Sequence, residues 1–448
     1  MAYDPLTASG PGRGLAHAPS YWAATAGPAP ADDGALAGDR DAEGAIIGGG
    51  YTGLATAAYL ARDHGVKPVV LEANRPGWGC SGRNGSFARP AIGRLDYRRW
   101  IDRWGVATAR AMFTEAHAAL GTVRELILAG GIDCDVQPDG RLRIAHRRRC
   151  LAELAAEQRL LTEVFDYDSE LLDEAALEAR HFRGAEAFGA LRTPDGFAMH
   201  PLKLVHGVLA MARQAGAVVH GASPVTGWTK DGARHVLHTP GGRVRADTVV
   251  LASNGYTPER LHASMRGRLL PLLSNIIVTR PMTAAEKPAC NLVTTDVISD
   301  TRELVYYFRR LPDDRLLFGG RGALGASEAA LAAHREHLLA ALKTKFPPLA
   351  SLTADYFWGG WVCLAYDRMP HIAQAEDDAS VHYAMGYMGS GVAFSLHAGR
   401  RLAERIAGTG EATALPLHAP LPRFPLAGLR RLARRAGYLW YRFRDERG

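Results

Sequence analysis

The chain has 448 residues, of which 47% are hydrophobic and 22% charged, and its formal net charge is +7. This length and composition are ordinary for a globular protein of two domains or one large composite fold. The charge is concentrated at the carboxyl end, because the segment from Arg423 onward carries eight arginines against two acidic residues. The nearly neutral remainder argues against a nucleic-acid-binding groove, which needs clustered cations.

Some classes of protein are disfavoured by what the sequence lacks. No run reaches the roughly 18 uninterrupted apolar residues of a membrane span. The first residues do not join a basic segment to an apolar one, as a secretory signal does. The five cysteines are odd in number, widely spaced and without a C-x-x-C pair, which disfavours a disulfide scaffold and a metal site. These features predict a cytoplasmic protein without bound metal.

The first predicted elements are a strand, a glycine turn, a helix and a second strand. Residues 1–40, rich in Ala, Gly, Pro and Asp, are expected to form a loosely held arm. The apolar run 45–47 then enters Gly-x-Gly-x-x-Gly at 48–53, a helix follows to Arg62, and a strand at 68–71 ends at Glu72. This order is typical of a dinucleotide-binding unit. The alternative is a glycine-rich turn without a ligand.

Each part of this unit has a physical role. Gly48 permits the tight turn, Gly50 lets the backbone approach a pyrophosphate, and Gly53 lets the helix pack closely on the sheet. The N-terminus of the helix presents unpaired N–H groups to the phosphates. Glu72 lies 24 residues after Gly48 (72 − 48), where it can accept hydrogen bonds from ribose hydroxyls and would repel the 2′-phosphate of NADP.

The rest of the chain alternates helices with short strands. Helices are predicted at 96–129, 147–165, 200–215 and 331–346, and strands at 218–220, 248–252, 276–279, 304–308, 316–318 and 381–385. A second Gly-x-Gly-x-x-Gly, at 320–325, is followed by a helix but by no strand ending in an acid. We interpret it as a turn with a helix cap at Ser327, which leaves a single nucleotide site.

This order of elements predicts an α/β fold, an α+β composite of two domains. A discontinuous Rossmann-like nucleotide-binding domain is expected to comprise residues 41–95, 200–260 and 353–410. A substrate domain with an antiparallel sheet is expected to be inserted as residues 96–199 and 261–352. The basic tail is then 411–448.

Short motifs are spread over nearly the whole chain. They are SYWAA at 20–24, GGGYTGL at 48–54, LEA at 71–73, GWGCSGRNG at 77–85, HPLKL at 200–204, VVLASNGYT at 249–257, DTR at 300–302, YFR at 307–309, LLFGGR at 316–321, WGG at 358–360, DRMP at 367–370 and GYMGSGV at 386–392. In this order and spacing they resemble the FAD-dependent D-amino-acid-oxidase and glycine-oxidase superfamily, and within it the branch similar to gamma-glutamylputrescine oxidase.

The resemblance implies a glycine-oxidase-like fold that holds FAD with its isoalloxazine ring at the domain boundary. Such enzymes oxidise the C–N bond of a primary or secondary amine or an N-substituted amino acid, by hydride transfer to flavin N5. The imine gives an aldehyde or keto product, and O2 or another acceptor restores the flavin, with H2O2 formed from O2. The cofactor carries this chemistry, while the protein supplies orientation and electrostatics.

The resemblance also implies which residues contact FAD. They are Gly48, Gly50, Tyr51, Thr52, Gly53, Glu72, Ala73, Ser81, Gly82, Arg83, Asn84, Gly85, Val225, Asn254, Gly386, Gly389, Ser390, Gly391 and Val392. Arg83 would supply a fixed positive charge to the flavin and pyrophosphate, with a solvated turn as the alternative for its loop. The helix after Gly391 could stabilise the anionic reduced flavin with its N-terminus. Ser390 stands where many relatives carry His, which argues against a histidine-based role there.

Substrate contacts and catalytic residues are predicted on the strands of the substrate domain. Tyr307 could cover the amine over the flavin, and one of Arg302, Arg309 and Arg321 could clamp a carboxylate. Arg321 lies near the position where some relatives place a lysine that promotes reaction with oxygen, and it is a further candidate. Surface or structural arginines are the equal alternative for each position.

Two further features leave alternatives open. Sarcosine oxidase relatives attach flavin through a cysteine in a stretch comparable to that around Cys363, whereas a buried structural cysteine is the commoner case. The tail from Leu426 to Phe443 interleaves apolar residues with arginines, which is typical of an amphipathic basic helix that could contact an anionic membrane. Packing of this helix on the enzyme's own surface is the favoured interpretation.

The expected partners are a small amine substrate and O2 or another electron acceptor, with no nucleic acid. One alternative is a membrane-docked amine or amino-acid dehydrogenase that passes electrons to quinone. A second alternative is a flavin-binding protein without turnover.

Overall fold

Two large β-sheets organise the chain. The computed structural model describes residues 3–323, 325–410 and 415–447. Within these residues the α-helices are α1 (Tyr21–Thr25), α2 (Tyr51–His64), α3 (Tyr97–Ala129), α4 (Cys150–Phe165), α5 (Glu174–Arg180), α6 (Pro201–Gln214), α7 (Glu286–Ala289), α8 (Glu328–Lys345), α9 (Gly391–Ile406) and α10 (Arg430–Arg447). The strands are β1 (Arg40–Ile47), β2 (Val69–Leu71), β3 (Phe87–Ala88), β4 (Arg141–Ile144), β5 (Glu170–Asp173), β6 (Gly189–Thr193), β7 (Phe197–Ala198), β8 (Val218–His220), β9 (Gly227–Asp231), β10 (Arg234–Thr239), β11 (Gly242–Leu251), β12 (Leu270–Thr279), β13 (Val297–Asp300), β14 (Tyr307–Arg310), β15 (Leu316–Arg321), β16 (Ala354–Leu364), β17 (His371–Ala375) and β18 (Asp378–Met385).

The first sheet is parallel at its centre. Its strand order is β17-β18-β11-β1-β2-β8, and β10 with β9 extends from β11. Strands β18, β11, β1, β2 and β8 pair in parallel, and α2 packs against α6 and α9. Because parallel strands end at the same edge, the turns after β1, β2, β11 and β18 meet there, and ligands of open α/β sheets bind at that edge.

The second sheet presents one face to that edge. Its order is β16-β12-β15-β14-β13-β4-β6-β5. Tyr307 lies opposite Gly319 and Ser274 lies opposite Arg321 in the register, so Tyr307, Ser274 and Arg321 share a face. Phe308 and Phe318 point to the other face, where they pack in a separate apolar cluster with α8.

The predicted fold class, a Rossmann-like domain combined with a second sheet domain, is confirmed, and most predicted helices agree with the structure. Ser327 caps α8 by accepting from the Ala330 N–H at 3.3 Å, as predicted. The structure differs from the prediction in two details. Residues 354–364, placed in the nucleotide-binding domain, form β16 and pair with β12 in the second sheet. That sheet is also not wholly antiparallel, because β13 pairs with β4 in parallel.

The amino-terminal arm is held against the body, contrary to the prediction of a loose segment. Trp22 is 1% exposed and donates from its indole N–H to the Asn84 carbonyl at 2.9 Å. The Gly14 N–H donates to the Ala73 carbonyl at 2.9 Å, and Leu36 is buried. Aromatic anchors therefore fix a segment whose overall composition resembles that of a disordered one. Among the described residues, no helix has both the length and the apolar character needed to cross a bilayer.

A buried carboxylate joins α3 to α9, the helix that starts at the last glycine loop. Glu115, on α3, accepts hydrogen bonds from His397 at 2.9 Å and from Arg401 at 2.8 and 2.9 Å, both on α9. Burial acts to raise the pKa of Glu115, but the hydrogen bonds from His397 and Arg401 prevail and hold it well below its usual value. These hydrogen bonds therefore hold α9 against α3.

Replacing Glu115 with glutamine is expected to lower the free energy of unfolding by about 3 kcal/mol, because His397 and Arg401 lose their buried partner. A carboxyl group with a lowered folded-state pKa stabilises fully above its unfolded pKa, about 4.5, and this stabilisation is lost as the pH falls further. Urea denaturation at neutral and acidic pH measures both effects. The matched control is Glu125→Gln on the same helix, whose more exposed pairs with Arg62 and Arg400 are worth at most about 1 kcal/mol.

Candidate active site

A cavity of about 1570 Å³ lies between the two sheets. The turns after β1, β2, β11 and β18 line one side, and the face of the second sheet that carries Tyr307 and Arg321 lines the other. Residues of α10 complete the wall, among them Arg434, Tyr438 and Tyr441. The cavity is thus large enough to hold a cofactor together with a small molecule.

The Gly-x-Gly-x-x-Gly turn forms a cradle in which side chains have no room. Gly48 has φ +114°, and a Cβ on it would lie 2.9 Å from the Ala252 carbonyl oxygen. A Cβ on Gly53 would lie 1.9 Å from the Gly48 carbonyl oxygen, and one on Gly50 would lie 2.8 Å from Ser81 Oγ. Gly50 caps α2 without a side-chain hydrogen bond, so the helix N-terminus faces the cavity as anion sites do.

Glu72 occupies the position of a ribose-binding acid beside this cradle. Its Oε2 accepts from the Gly49 N–H at 2.7 Å, and its Oε1 accepts from the Asn74 N–H at 2.9 Å. Burial raises the pKa of Glu72, and the backbone N–H groups counteract that rise. Ala73 and Val225 line the same end of the cavity, next to residues 9–13 of the arm.

The loop at 77–86 connects the cradle to the second sheet. Ser81 Oγ accepts from the Tyr51 N–H at 2.9 Å, and Asn84 donates to the Ser81 carbonyl at 2.8 Å. Arg83 donates to the Trp78 carbonyl at 2.6 Å and to the Gly359 carbonyl at 3.3 Å, and it stacks on the Trp78 ring. A Cβ on Gly85 would lie 2.7 Å from the Tyr307 ring, and one on Gly82 would lie 2.4 Å from the Gly77 carbonyl oxygen.

The last glycine loop closes the same region. Gly386 and Gly389 have φ +90°, and the Gly386 N–H donates to Asn254 Oδ1 at 3.0 Å. Ser390 does not cap α9; its Oγ accepts from the Gly93 N–H at 3.1 Å and donates to the Tyr387 carbonyl at 3.2 Å. The N-terminus of α9, with Gly391 and Val392, therefore faces the cavity. The Thr52 hydroxyl and the Tyr387 phenol, 3.0 Å apart, join this loop to α2.

Comparisons with known proteins agree with this geometry. A sequence model of the DAO family, described as FAD dependent oxidoreductase, matches residues 44–405. The chain belongs to this family. It is 33% identical over 443 residues to gamma-glutamylputrescine oxidoreductase of Escherichia coli (strain K12), covering 96% of this chain and 99% of that protein. The enzyme therefore uses FAD. The glycine cradle, Glu72 and the N-termini of α2 and α9 suit that dinucleotide.

Solved structures share the fold. Glycine oxidase from Geobacillus kaustophilus superposes with a TM-score of 0.69 at 20% identity, covering 86% of this chain and 100% of that one. Iminodiacetate oxidase from Chelativorans sp. BNC1 gives a TM-score of 0.69 at 19% identity, covering 84% of this chain and 98% of that one. Both likenesses show the arrangement of the two sheets and nothing about this oxidoreductase's substrate.

Arg321 is the predicted substrate residue that the structure places most favourably. It is 8% exposed and lines the cavity, and its Nε and Nη1 have no hydrogen-bond partner within the described residues. Burial lowers the pKa of Arg321, while the nearby phenols of Tyr438 and Tyr307 act in the opposite direction. The Tyr307 hydroxyl lies 3.1 Å from Ser274 Oγ. A buried cation with unsatisfied donors is a binding site for an anion.

The other two candidate arginines are engaged elsewhere. Arg302 lines the cavity, but it pairs with Asp300 and, at 2.7 Å, with Glu186. Arg309 is 3% exposed outside the cavity, where it donates to the Met199 carbonyl at 3.2 Å and lies over the Trp22 ring. A substrate carboxylate at Arg302 would have to displace its two acidic partners. Arg309 has a buried Nε without a hydrogen-bond partner but does not line the cavity. We therefore omit Arg302 and Arg309 from the substrate contacts proposed below.

Sequence reasoning missed several polar residues of the cavity wall, three of which bear on the substrate end. Arg89 and Arg94, in the segment after the 77–86 loop, line the cavity, as does Tyr438 of α10. Arg89 donates to the Gly389 carbonyl, and Arg94 donates to the Glu303 carbonyl at 3.3 Å. Arg89 and Arg94 could have been found from the sequence, because they are two arginines close to a predicted cofactor loop in an otherwise apolar segment.

Cys363 lines the cavity, but its thiol is not activated for a covalent bond with FAD. Its side chain is fully buried in an apolar cluster, and burial raises the pKa of its thiol. Because the thiolate is the nucleophile, we expect acid precipitation to give a colourless pellet and a yellow supernatant. Cys363→Ser is expected to retain its flavin. A yellow pellet from the wild-type protein and a colourless one from the variant would contradict this prediction.

Proposed function

We propose that this FAD-dependent oxidoreductase oxidises the C–N bond of a primary or secondary amine that carries a carboxylate, as an N-substituted amino acid does. The observation that carries the proposal is the buried guanidinium of Arg321 with two unsatisfied nitrogens in the cavity wall. The names of the relatives support the amine, since they refer to gamma-glutamylputrescine, glycine and iminodiacetate. Tyr307, Arg321 and the cofactor contacts predicted from the sequence belong to this proposal.

Two more arginines strengthen the case for an anionic substrate. Burial, and next the guanidinium of Arg141, lowers the pKa of Arg89 to about 9. Burial, and next the guanidinium of Arg321, lowers the pKa of Arg94 to about 9. Arg89 and Arg94 donate to backbone carbonyls rather than to carboxylates, and two nitrogens of Arg321 have no hydrogen-bond partner among the described residues. A bound carboxylate would relieve their mutual repulsion and satisfy the free donors.

The protein's contribution is to hold the amine beside the flavin. FAD, when bound, supplies the two-electron oxidation that converts the amine to an imine. Arg321 would fix the carboxylate, and Tyr307, whose hydroxyl is held by Ser274, would cover the amine carbon. The imine then hydrolyses to an aldehyde or keto product. The walls contributed by α10 and the second sheet bury Arg321 and Tyr438, and burial strengthens electrostatic contacts.

An anaerobic flavin-bleaching screen tests the substrate class. Each N-alkyl amino acid is compared with its amide at a pH where both amines are in the same protonation state, so that the pair differs chiefly in the carboxylate charge. We expect the acid to bleach the flavin at least 30-fold faster at equal concentration. Equal rates for acid and amide would reject the carboxylate, and an amine panel that leaves the flavin oxidised would favour a flavin-binding protein without turnover.

The electron acceptor is proposed to be O2. Arg321 is a fixed cation at the cavity and could stabilise the negative charge that develops on reduced oxygen. Stoichiometric H2O2 in air supports this proposal. Rapid dye reduction without peroxide would instead favour a membrane-docked dehydrogenase that passes electrons to quinone. The outer surface of α10 is the candidate membrane contact for that alternative.

A further inference from the structure

The carboxyl-terminal helix α10 has its polar side against the enzyme and its apolar side in solvent. The residues that pack inward are Arg430, Arg434, Tyr438, Tyr441 and Asp445, and the first three are less than 9% exposed. The residues that point outward on and just before α10 are Leu429, Leu432, Ala436, Leu439, Trp440 and Phe443. This is the reverse of the usual surface helix, in which the apolar stripe faces the core.

Specific hydrogen bonds fix this orientation. Arg430, Arg434 and Tyr438 donate to the carbonyls of Leu269, Pro271 and Leu273, with the last two bonds at 3.1 and 3.2 Å. The spacings match, because four helical residues rise about 6 Å and two strand residues rise about 6.6 Å.

Ion pairs and a carboxylate secure the two ends of the helix. Arg430 pairs with Glu259 and Arg434 with Asp4, both at 2.7 Å. Asp445 accepts from the N–H groups of Glu303 and Leu304 at 3.0 and 2.9 Å. Rotating the helix to bury its apolar side would break every one of these bonds.

The outward side is therefore a permanent apolar stripe. Leu429, Leu432, Leu439, Trp440 and Phe443 are between 51% and 62% exposed, and the Trp440 and Phe443 rings stack with centroids 6.3 Å apart. Contiguous apolar surface of this kind on a folded protein marks an interaction site. Exposed arginines border the stripe along the helix, namely Arg431, Arg435 and Arg442.

We propose that the outer side of α10 docks this enzyme on the surface of a bilayer that contains anionic lipids. An amphipathic helix lying in the interface buries its apolar stripe among the acyl chains and places bordering arginines among anionic head groups. Trp440 and Phe443 are the aromatic residues that favour the interfacial zone. The charge argues against a second copy of the chain as the occupant, because a two-fold contact through this stripe would bring two rows of arginines together.

The proposal is tested with purified holoenzyme and two kinds of vesicle. Sedimentation is measured with phosphatidylcholine vesicles and with vesicles that also contain phosphatidylglycerol. We expect the wild-type enzyme to sediment with the anionic vesicles and to be released by high salt. The double variant Leu439→Ser, Phe443→Ser is expected to bind at least tenfold more weakly, because it removes apolar area from the stripe alone. The double variant Arg431→Gln, Arg435→Gln is expected to lose the preference for anionic vesicles.

The matched control removes an exposed leucine from another helix. Leu128, on α3, is 85% exposed, and Leu128→Ser is expected to bind vesicles as the wild type does. Flavin content and amine oxidation in solution should be unchanged in all three variants, so the result does not depend on the substrate proposed above. Wild-type enzyme that stays in the supernatant with both vesicles would overturn the proposal. So would equal binding by the Leu439/Phe443 variant, or a wild-type dimer that ignores vesicles and is dissociated by those two substitutions.

Discussion

We expect the substitution Arg321→Gln to lower kcat/KM for a carboxylate-bearing amine by about 30-fold to several thousand-fold. Removing one partner of a desolvated charge pair costs about 2–5 kcal/mol, and each 1.4 kcal/mol is a factor of ten. The measurement is the anaerobic rate of flavin bleaching at varied substrate concentration, which excludes any effect on reaction with O2. For the corresponding amide, the same substitution should change the rate by less than threefold.

A second buried arginine provides the control for Arg321. Arg309 lies on the neighbouring strand β14 with its guanidinium outside the cavity. Arg309→Gln is expected to lower the free energy of unfolding while leaving the ratio of acid to amide rates unchanged. If Arg321→Gln and Arg309→Gln altered that ratio equally, Arg321 would not be the carboxylate site.

The Gly53→Ala variant is expected to be recovered with less than a tenth of the FAD of the wild-type enzyme. The added Cβ would lie 1.9 Å from the Gly48 carbonyl oxygen, a backbone atom that cannot move without opening the turn. The pyrophosphate would then lose both the N-terminus of α2 and the close approach at Gly50. Flavin absorbance per protein, before and after incubation with added FAD, measures the loss.

The matched control for Gly53→Ala lies nine residues upstream. Gly44 is buried on β1, and a Cβ placed on it meets no heavy atom within 4 Å. Gly44→Ala should therefore retain the full complement of FAD. A Gly53→Ala enzyme with one FAD per chain would show that the turn does not hold the pyrophosphate in the way described.

The glycine cradle could be predicted because its determinants are local. Gly48, Gly53 and Glu72 belong to one continuous strand, turn, helix and strand, and the need for Gly53 is set by the Gly48 carbonyl five residues earlier. The contact between Gly48 and Ala252, by contrast, joins distant parts of the chain. Strand β16 could not be predicted in the same way. Gly359 and Gly360 interrupt its sequence and resemble a turn, whereas a Cβ on Gly360 would lie 3.0 Å from Cys80 Sγ of the cofactor loop.

The substrate end depends on contacts between distant segments. The sequence does not distinguish Arg302 from Arg321 as a substrate contact. In the structure, Asp300 and Glu186 neutralise Arg302, whereas no carboxylate within the described residues pairs with Arg321. The orientation of α10 depends likewise on carbonyls of β12, more than 150 residues earlier in the chain. A pattern of arginines and leucines indicates an amphipathic helix but does not say which side faces the enzyme.

Tyr438 reaches the cavity from a helix that begins after residue 405, where the match to the family ends. The cofactor site and this part of the cavity wall are therefore encoded by separable stretches of the chain. Substitutions in α10 are expected to reshape this part of the cavity wall without altering the glycine cradle. Libraries that vary Gly437, Tyr438 and Tyr441 are accordingly an economical starting point for redirecting such an enzyme to new amines, and natural paralogues could have diverged by the same route.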